Sequence, residues 1–389
     1  MELGSAVGVV KERASPTVVV VINNRIMSSS LPEAPPHPRD WNVGVDEYLR
    51  QNGISCDEAV PLNTSTSCYI WQINGLKDAE ATANGHEEGQ PAILKCADST
   101  PKYRTFPVSP ERLRFEVKAL GSAAVTKASL QEPSVQVPRV LRTTRNGFVM
   151  NWVGQTDLRS AYKNGQLADA ADAGRRLGRW LGCLHLAGVE LGPDGWDLEH
   201  GELRQFYVPG GLAERAIKAA VDGEEEAGRV LAAMRAPAPV HTLTPWDIRP
   251  MNVVVRLPDD DDDRVGVTGL SVVDWELCHY GDPADDVRMW VAEVMILEAK
   301  FGERGLLSSF LRAYREQAGA SLVDGDFVCR VALSVGIYVL WLVPINPGVW
   351  DCTEQDVEAW KSKSLEFIRA GAGGDIECIK QSCLAPLLD

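Results

Sequence analysis

The chain is short of basic charge. Lys and Arg number 39 against 54 Asp and Glu, a formal net charge of −15. A nucleic-acid backbone needs a cationic surface, so nucleic acid is not expected as a partner. The carboxylate excess is compatible with a cationic small substrate. Paired-cysteine motifs are also missing. The nine cysteines include no C-x-x-C, their number is odd, and several stand in apolar runs such as "GCLHLAG". They read as free thiols, mostly small core residues, in a reducing, cytoplasmic compartment. No signal peptide is visible. "TVVVVI" at 17–22 is six residues long, against ~20 for a membrane span, so no membrane is expected either. "NTS" at Asn63 fits the glycosylation sequon and means nothing without secretion. There is no internal repeat.

What is present suffices for a real core: 389 residues, 45% hydrophobic and 24% charged, enough for two or three domains. Residues 1–40, with "SSSLPEAPPHPRDW", read as a disordered or atypical extension. Residues 41–150 read as a small α+β lobe: a short helix "VDEYLRQNG", strands "YIWQING", "PAILKCA" and "GFVMNWVG", and a helix "SPERLRFEVKALG". That helix is expected to be capped by Ser109, to carry Pro110 in its first turn and to stop at Gly121. Residues 151–156 read as a hinge and 157–370 as a mainly helical lobe with one β excursion, "MNVVVRL" and "VTGLSVVDW". Residues 371–389 form a tail. The acidic run Asp259–Asp263 reads as a solvated hairpin tip rather than a metal site.

The stretch "LTPWDIRPMNVVV" (243–255) sets Asp247 and Asn252 five apart, directly before a valine strand. If that strand forms a hairpin with "VTGLSVVDWEL", the far ends of the two strands lie side by side. Asp247 and Asn252 then sit beside Asp274 and Glu276. Hard oxygen ligands so gathered suit Mg²⁺, which keeps waters and takes one or two carboxylates plus phosphate oxygens. Taken singly, Asp247 and Asn252 are ordinary turn formers and Asp274 an ordinary cap.

Lys95 stands amid apolar residues in "AILKCA". Glu116 lies three after Leu113 and four before Leu120, on the apolar face of its helix. Two buried charges are tolerable when paired, and a Lys95–Glu116 pair would leave the ammonium aimed at an anion. The alternative is that both side chains reach solvent. His185 reads as a satisfied core histidine. Trp290, Trp341 and Trp350 read as mostly core, one or more of them available to line an acceptor pocket.

Strand Lys, helix Glu, hinge strand, D-x4-N and strand-end Asp, in this order, follow the protein-kinase-like plan. "VVDWELCHYGDPADD", "LGRWLGCLHLAG" and "FVMNWVG" resemble the aminoglycoside phosphotransferase, choline kinase and methylthioribose kinase branch of it. The "DWELC.YG" form is similar to fungal hydroxytryptamine kinases of that branch. The resemblance covers about residues 45–370; neither D-F-G nor A-P-E is present, which argues against a protein kinase. It implies a two-lobed fold and use of ATP and Mg²⁺. It implies Asp247 as the base for an acceptor hydroxyl, and Asn252 and Asp274 as metal ligands, with Glu276 a further ligand or a supporting contact. Lys95 would bind the α/β-phosphates, fixed by Glu116, and backbone groups at Met150, Asn151 and Val153 would hold adenine. Asp286 matches the last Asp of the G-D-P-x-x-D block.

Two departures stand out. Pro245 replaces the histidine usual two before the catalytic Asp, with Trp246 where Gly is common. Thr64-Ser65 replaces the usual Gly pair of the phosphate loop, where glycine permits close backbone approach. "DIRPMN" is close to the protein-kinase D-L-K-P-x-N, which would set Arg249 on the γ-phosphate; the alternative is an arginine tied to a nearby carboxylate. The expected activity is transfer of a γ-phosphate to a hydroxyl of a small molecule by a monomer or homodimer. The alternative is a kinase-like protein that binds a ligand or partner without transferring phosphate.

Overall fold

The computed structural model describes residues 45–62, 68–97, 109–154, 156–193, 196, 211–257, 269–345, 350 and 352–389. The extension at 1–40, the Thr64-Ser65 pair and the acidic run Asp259–Asp263 lie outside these residues.

The first lobe is built on a five-stranded antiparallel sheet. Its strands are β1 (Glu58–Leu62), β2 (Tyr69–Asn74), β3 (Ala92–Cys96), β5 (Val140–Thr144) and β6 (Gly147–Asn151), in the order β1-β2-β3-β6-β5. A short strand β4 (Val135–Gln136) lies outside this sheet. Strand side chains alternate between faces. Ala92, Leu94 and Cys96 therefore join Tyr48 and Leu49 of helix α1 (Val45–Gln51), Trp71 and Val149 in one core. Ile93 joins Leu113, Leu120 and Phe148 on the opposite face. Lys95 has the parity of Ile93, so it faces helix α3 (Arg112–Leu120). All five residues of β3 are buried, which is why the strand reads as a continuous apolar run.

Two local expectations need correction. The helix begins at Arg112, not after Ser109. The Ser109 hydroxyl accepts from the Glu111 amide at 3.2 Å, which makes a turn, and Glu111 supplies no side-chain cap. Gly121 does end it. A further helix α4 (Ala123–Gln131), capped by Ser122, and the strands β1 and β5 add to the simpler expected lobe. Short helix α2 (Ala79–Ala83) lies between β2 and β3.

The second lobe starts at β7 (Thr156–Asp157) and α5 (Leu158–Lys163). Its spine is α6 (Ala170–Leu191) against α10 (Leu306–Ala318). Backbones touch there. A Cβ on Gly174 would lie 2.2 Å from the Leu306 carbonyl, and one on Gly178 2.1 Å from that of Phe310. The expected second helical region divides at Gly223 (φ +90°) into α7 (Leu212–Ala220) and α8 (Glu224–Met234). Helix α9 (Ala284–Phe301) packs on α11 (Gly325–Ile345), which packs on α12 (Glu354–Gly373); a short α13 (Ile376–Lys380) follows. The β excursion is β8 (Thr242–Thr244), β9 (Val253–Arg256), β10 (Gly269–Val272) and β11 (His279–Gly281), with sheets β4-β10-β9-β7 and β11-β8.

Helix α11 is long and apolar enough to cross a membrane by length and composition, with a mean hydropathy of 1.9. In the fold 72% of that window is buried. It is packing by neighbouring helices that makes α11 part of the core. All nine cysteines are free thiols. Cys68, Cys96, Cys183 and Cys278 are buried; the others are partly or fully exposed.

Candidate active site

The hairpin aligns as its sequence required. Val253 pairs with Val272 and Arg256 with Gly269, and the Val273 amide donates to the Asn252 carbonyl at 2.9 Å. Asn252 and Asp274 therefore leave adjacent strands side by side. Two non-glycine residues among those described hold a left-handed backbone, Trp246 and Asp274, both at φ 65°. Asp tolerates this region, but a residue as bulky as Trp246 is an outlier there, worth on the order of 1–3 kcal/mol of strain, of the kind found at functional sites.

Lys95 is 3% exposed. Its Nζ lies 2.6 Å from Glu116 Oε2, 2.5 Å from Asp274 Oδ1 and 3.6 Å from Glu276 Oε2. One ammonium thus joins the first lobe's helix to the second lobe's strand end. Burial alone would lower its pKa, but Asp274, Glu116 and Glu276 outweigh burial and hold it well above the usual lysine range. Arg112, one turn before Glu116 on the buried face of α3, supports the cluster. Its Nε lies 3.2 Å from Glu276 Oε2, and Cys68 Sγ donates to the same oxygen at 3.0 Å. The Trp275 amide donates to Glu116 Oε1 at 3.3 Å, and its indole meets Trp180 edge-on at 6.0 Å.

Asp247 Oδ2 accepts from Asn252 Nδ2 at 2.9 Å, and the same nitrogen also reaches the Asp247 carbonyl. Asp247 Oδ1 lies 3.3 Å from Arg249 Nε. Burial, aided by Asp274 and Glu293, pushes the Asp247 carboxyl up to about 6 against the pull of Arg249. Arg249 Nη1 lies 3.4 Å from Glu293 Oε1, which also accepts from the Tyr338 hydroxyl at 3.1 Å.

The loop is held although Pro245 removes the usual histidine. The Trp246 amide donates to Asp286 Oδ1 at 2.6 Å. Asp286 Oδ2 takes His185 Nε2 at 2.9 Å, and His185 Nδ1 meets the Tyr314 hydroxyl at 2.8 Å. His185 is a fully buried histidine satisfied on both nitrogens. The Thr242 hydroxyl bonds its carbonyl at 2.7 Å. The Arg288 guanidinium lies 5.1 Å from the Trp246 ring and 5.6 Å from that of Tyr338.

At the hinge, Met150 is buried within the sheet. The Asn151 amide donates to Arg139 and its carboxamide folds back on the Arg139 amide. No backbone bond among the described residues uses Val153. Trp290 and Trp350 are buried, and Trp341 partly so.

Hard-cation chemistry was tested on the donor set. Oxygens of Glu116, Asp274 and Glu276 lie within 4.8 Å of one another, but the Lys95 ammonium already fills that space. The oxygens left for a cation are those at the open side. Asp274 is 31% exposed at its side chain, and the Asn252 side chain makes both its bonds through Nδ2, leaving the carboxamide oxygen. These two fit Mg²⁺ held partly by water and phosphate. Sequence reasoning missed Arg112 and Glu293. Arg112 stands at i−4 to Glu116, and Glu293 is a lone carboxylate within "MWVAEVMIL"; either spacing could have marked them.

One shared ammonium, a D-x4-N loop and a strand-end carboxylate brought together suit phosphoryl transfer, which asks for positioning and charge neutralisation. The chain belongs to the phosphotransferase enzyme family, whose model matches residues 85–324. A comparison with curated proteins finds no match. Among solved structures the chain is similar to a microcompartment-associated aminopropanol kinase, at 16% identity over 85% of this chain and 98% of that one, TM-score 0.49. It is also similar to an aminoglycoside phosphotransferase from Alicyclobacillus acidocaldarius (13%, 92% and 100%, 0.47). A third is a choline/ethanolamine kinase family protein from Mesorhizobium loti (14%, 85% and 91%, 0.42). At these identities and scores the likenesses assign neither residue roles nor a substrate.

Proposed function

We propose that the protein moves the γ-phosphate of ATP to a hydroxyl of a small molecule. The observation that carries this reading is the Lys95 ammonium shared between Glu116 and Asp274, beside the Asp247–Asn252 loop. Lys95, fixed by Glu116, draws in the α/β-phosphates. Asn252 and Asp274 would hold Mg²⁺, which when bound neutralises charge on the phosphates. Glu276, engaged by Arg112 and Cys68, acts as a supporting contact. Backbone groups at Met150–Val153 hold adenine, with Val153 free to offer its amide and Asn151 committed to Arg139. Thr64 and Ser65 offer amides and hydroxyls to the phosphates where relatives use glycine.

Asp247 accepts the proton as the acceptor oxygen bonds to the γ-phosphorus. The bond from that phosphorus to the bridging oxygen breaks, and ADP leaves with the electron pair. Arg249, tethered beside Asp247, meets the γ-phosphate oxygens. The net acidity of the chain favours a cationic acceptor.

A second reading is binding without transfer. It is favoured by Lys95 on Asp274 and Arg249 on Asp247, contacts that occupy the groups chemistry would need. Purified protein with Mg·ATP and a panel of amines, amino-alcohols and sugars, read by mass spectrometry for an added phosphoryl group, separates the two. Nucleotide-dependent stabilisation with no phosphorylated product supports the second; neither signal sinks both.

A further inference from the structure

Glu293 is difficult to explain as a structural residue. It is fully buried in the middle of α9, among Trp290, Val291, Ala292 and Val294. Isolated buried carboxylates are unfavourable, and apolar residues of similar size usually serve stability better. Both its contacts use Oε1, one to Arg249 Nη1 at 3.4 Å and one from the Tyr338 hydroxyl at 3.1 Å. Oε2 has no hydrogen-bond partner among the described residues. Among the described residues its one cationic contact is therefore Arg249, the arginine that also touches the Asp247 carboxylate.

The guanidinium is divided between two carboxylates. Its Nε lies 3.3 Å from Asp247 Oδ1, and its Nη1 lies 3.4 Å from Glu293. An arginine with one carboxylate in reach forms a bidentate fork, two parallel bonds that occupy both partners. Asn252 Nδ2 already sits on Asp247 Oδ2, so a forked Arg249 would leave Asp247 no edge for an acceptor hydroxyl. We propose that Glu293, braced by Tyr338, is a positioning residue that limits Arg249 to its single contact with Asp247 Oδ1 and so leaves room on that carboxylate for an acceptor hydroxyl. The proposal rests on the phosphotransfer reading for its kinetic consequence and on geometry alone for its structural one.

The test uses the full chain in two arms. In the kinetic arm, Glu293→Met lowers kcat about 30-fold, leaving KM for ATP within about 2-fold, as expected for a misplaced catalytic group. Glu293→Gln, which keeps the hydrogen-bond acceptor and guards against misfolding of the Met variant, shows a smaller loss of about 5-fold. Lysine cannot fork, so adding Arg249→Lys to Glu293→Met raises kcat above that of Glu293→Met alone. A merely structural Glu293 would give a double variant no better than the single one, and that result overturns the proposal. The structural arm needs no acceptor. In a nucleotide-free crystal structure of Glu293→Met, Arg249 places two nitrogens within hydrogen-bond distance of Asp247. An Arg249 that keeps a single contact there, in that variant and in Glu293→Gln, overturns the proposal even if the wild type phosphorylates nothing. A wild type without turnover, together with the fork in Glu293→Met, would leave this inference standing and remove the phosphotransfer reading.

Discussion

Replacing Lys95 by Met removes the ammonium that three carboxylates share. Glu116, 1% exposed at its side chain, loses a contact of 2.6 Å and keeps the Trp275 amide at 3.3 Å. Arg112 stays with Glu276, so nothing cationic replaces Lys95 at Glu116. Breaking a buried pair from one side costs about 3–5 kcal/mol. Glu116 can recover part of that by taking a proton. Burial, Asp274 and Glu276 already push its carboxyl up from 4.5, and Lys95 is what pulls it down. In the variant its folded pKa lies well above its unfolded one. The group then contributes stability below pH 4.5 that is lost as pH rises towards the folded pKa, at up to ~1.4 kcal/mol per pH unit. In the wild type Lys95 keeps that carboxyl down to about 7, so the same slope ends near neutral pH. Urea unfolding between pH 5.5 and 8.5 should thus show the wild type and Lys95→Met diverging with pH, the variant poorest at the alkaline end. Parallel profiles would refute a Lys95 that neutralises a buried Glu116. The variant should also lose nucleotide-induced stabilisation.

Asp247→Asn should lower transfer by about 10³-fold or more while nucleotide affinity changes little, read by steady-state kinetics and calorimetry. The Asp247 carboxyl, pushed up to about 6, must be ionised to act. The kcat profile should therefore fall below about pH 6 and be flat above it, and a profile flat down to pH 5 would exclude Asp247 as the base. Its raised folded pKa also means that the carboxylate is a stability cost above pH 6, so Asp247→Asn should melt higher than wild type at pH 8 and not at pH 4. Asp286→Ala removes the oxygens that the Trp246 amide and His185 Nε2 bond in a buried position. A loss of about 3 kcal/mol is expected by denaturant titration, with kcat falling more than KM changes.

The site was legible in sequence where a charge interrupted an apolar period. Lys95 within β3 and Glu116 on the inner face of α3 each broke a pattern whose period fixed which way the side chain pointed. The D-x4-N loop was legible because valines on both strands demanded a hairpin, and a hairpin fixes which ends meet. Edge features were not legible. Strand β1 reads "EAVPL", with a proline and no clean alternation, because one side of it faces no other strand. The start of α3 was misplaced because Ser109 and Pro110 serve a turn as well as a cap. That His185 and Asp286 meet beneath the Asp247 loop was not legible, for another reason. His185, Asp286 and Tyr314 come from α6, α9 and α10, far apart in the chain, and no local pattern announces that they meet.

The glycines of α6 lie in line with that support. Gly174 and Gly178 let α10 approach backbone to backbone, and α10 carries Tyr314, which holds His185, which holds Asp286 under the Trp246 amide. A side chain added to this face would meet none of Lys95, Asp247 or Asp274, yet it would push aside the helix on which the loop's support depends. A genetic screen for temperature-sensitive alleles should therefore return to α6, with chains that accumulate normally at low temperature and lose activity before they lose their fold on warming. Inheritance of activity in this protein is guarded by residues that have no side chain at all.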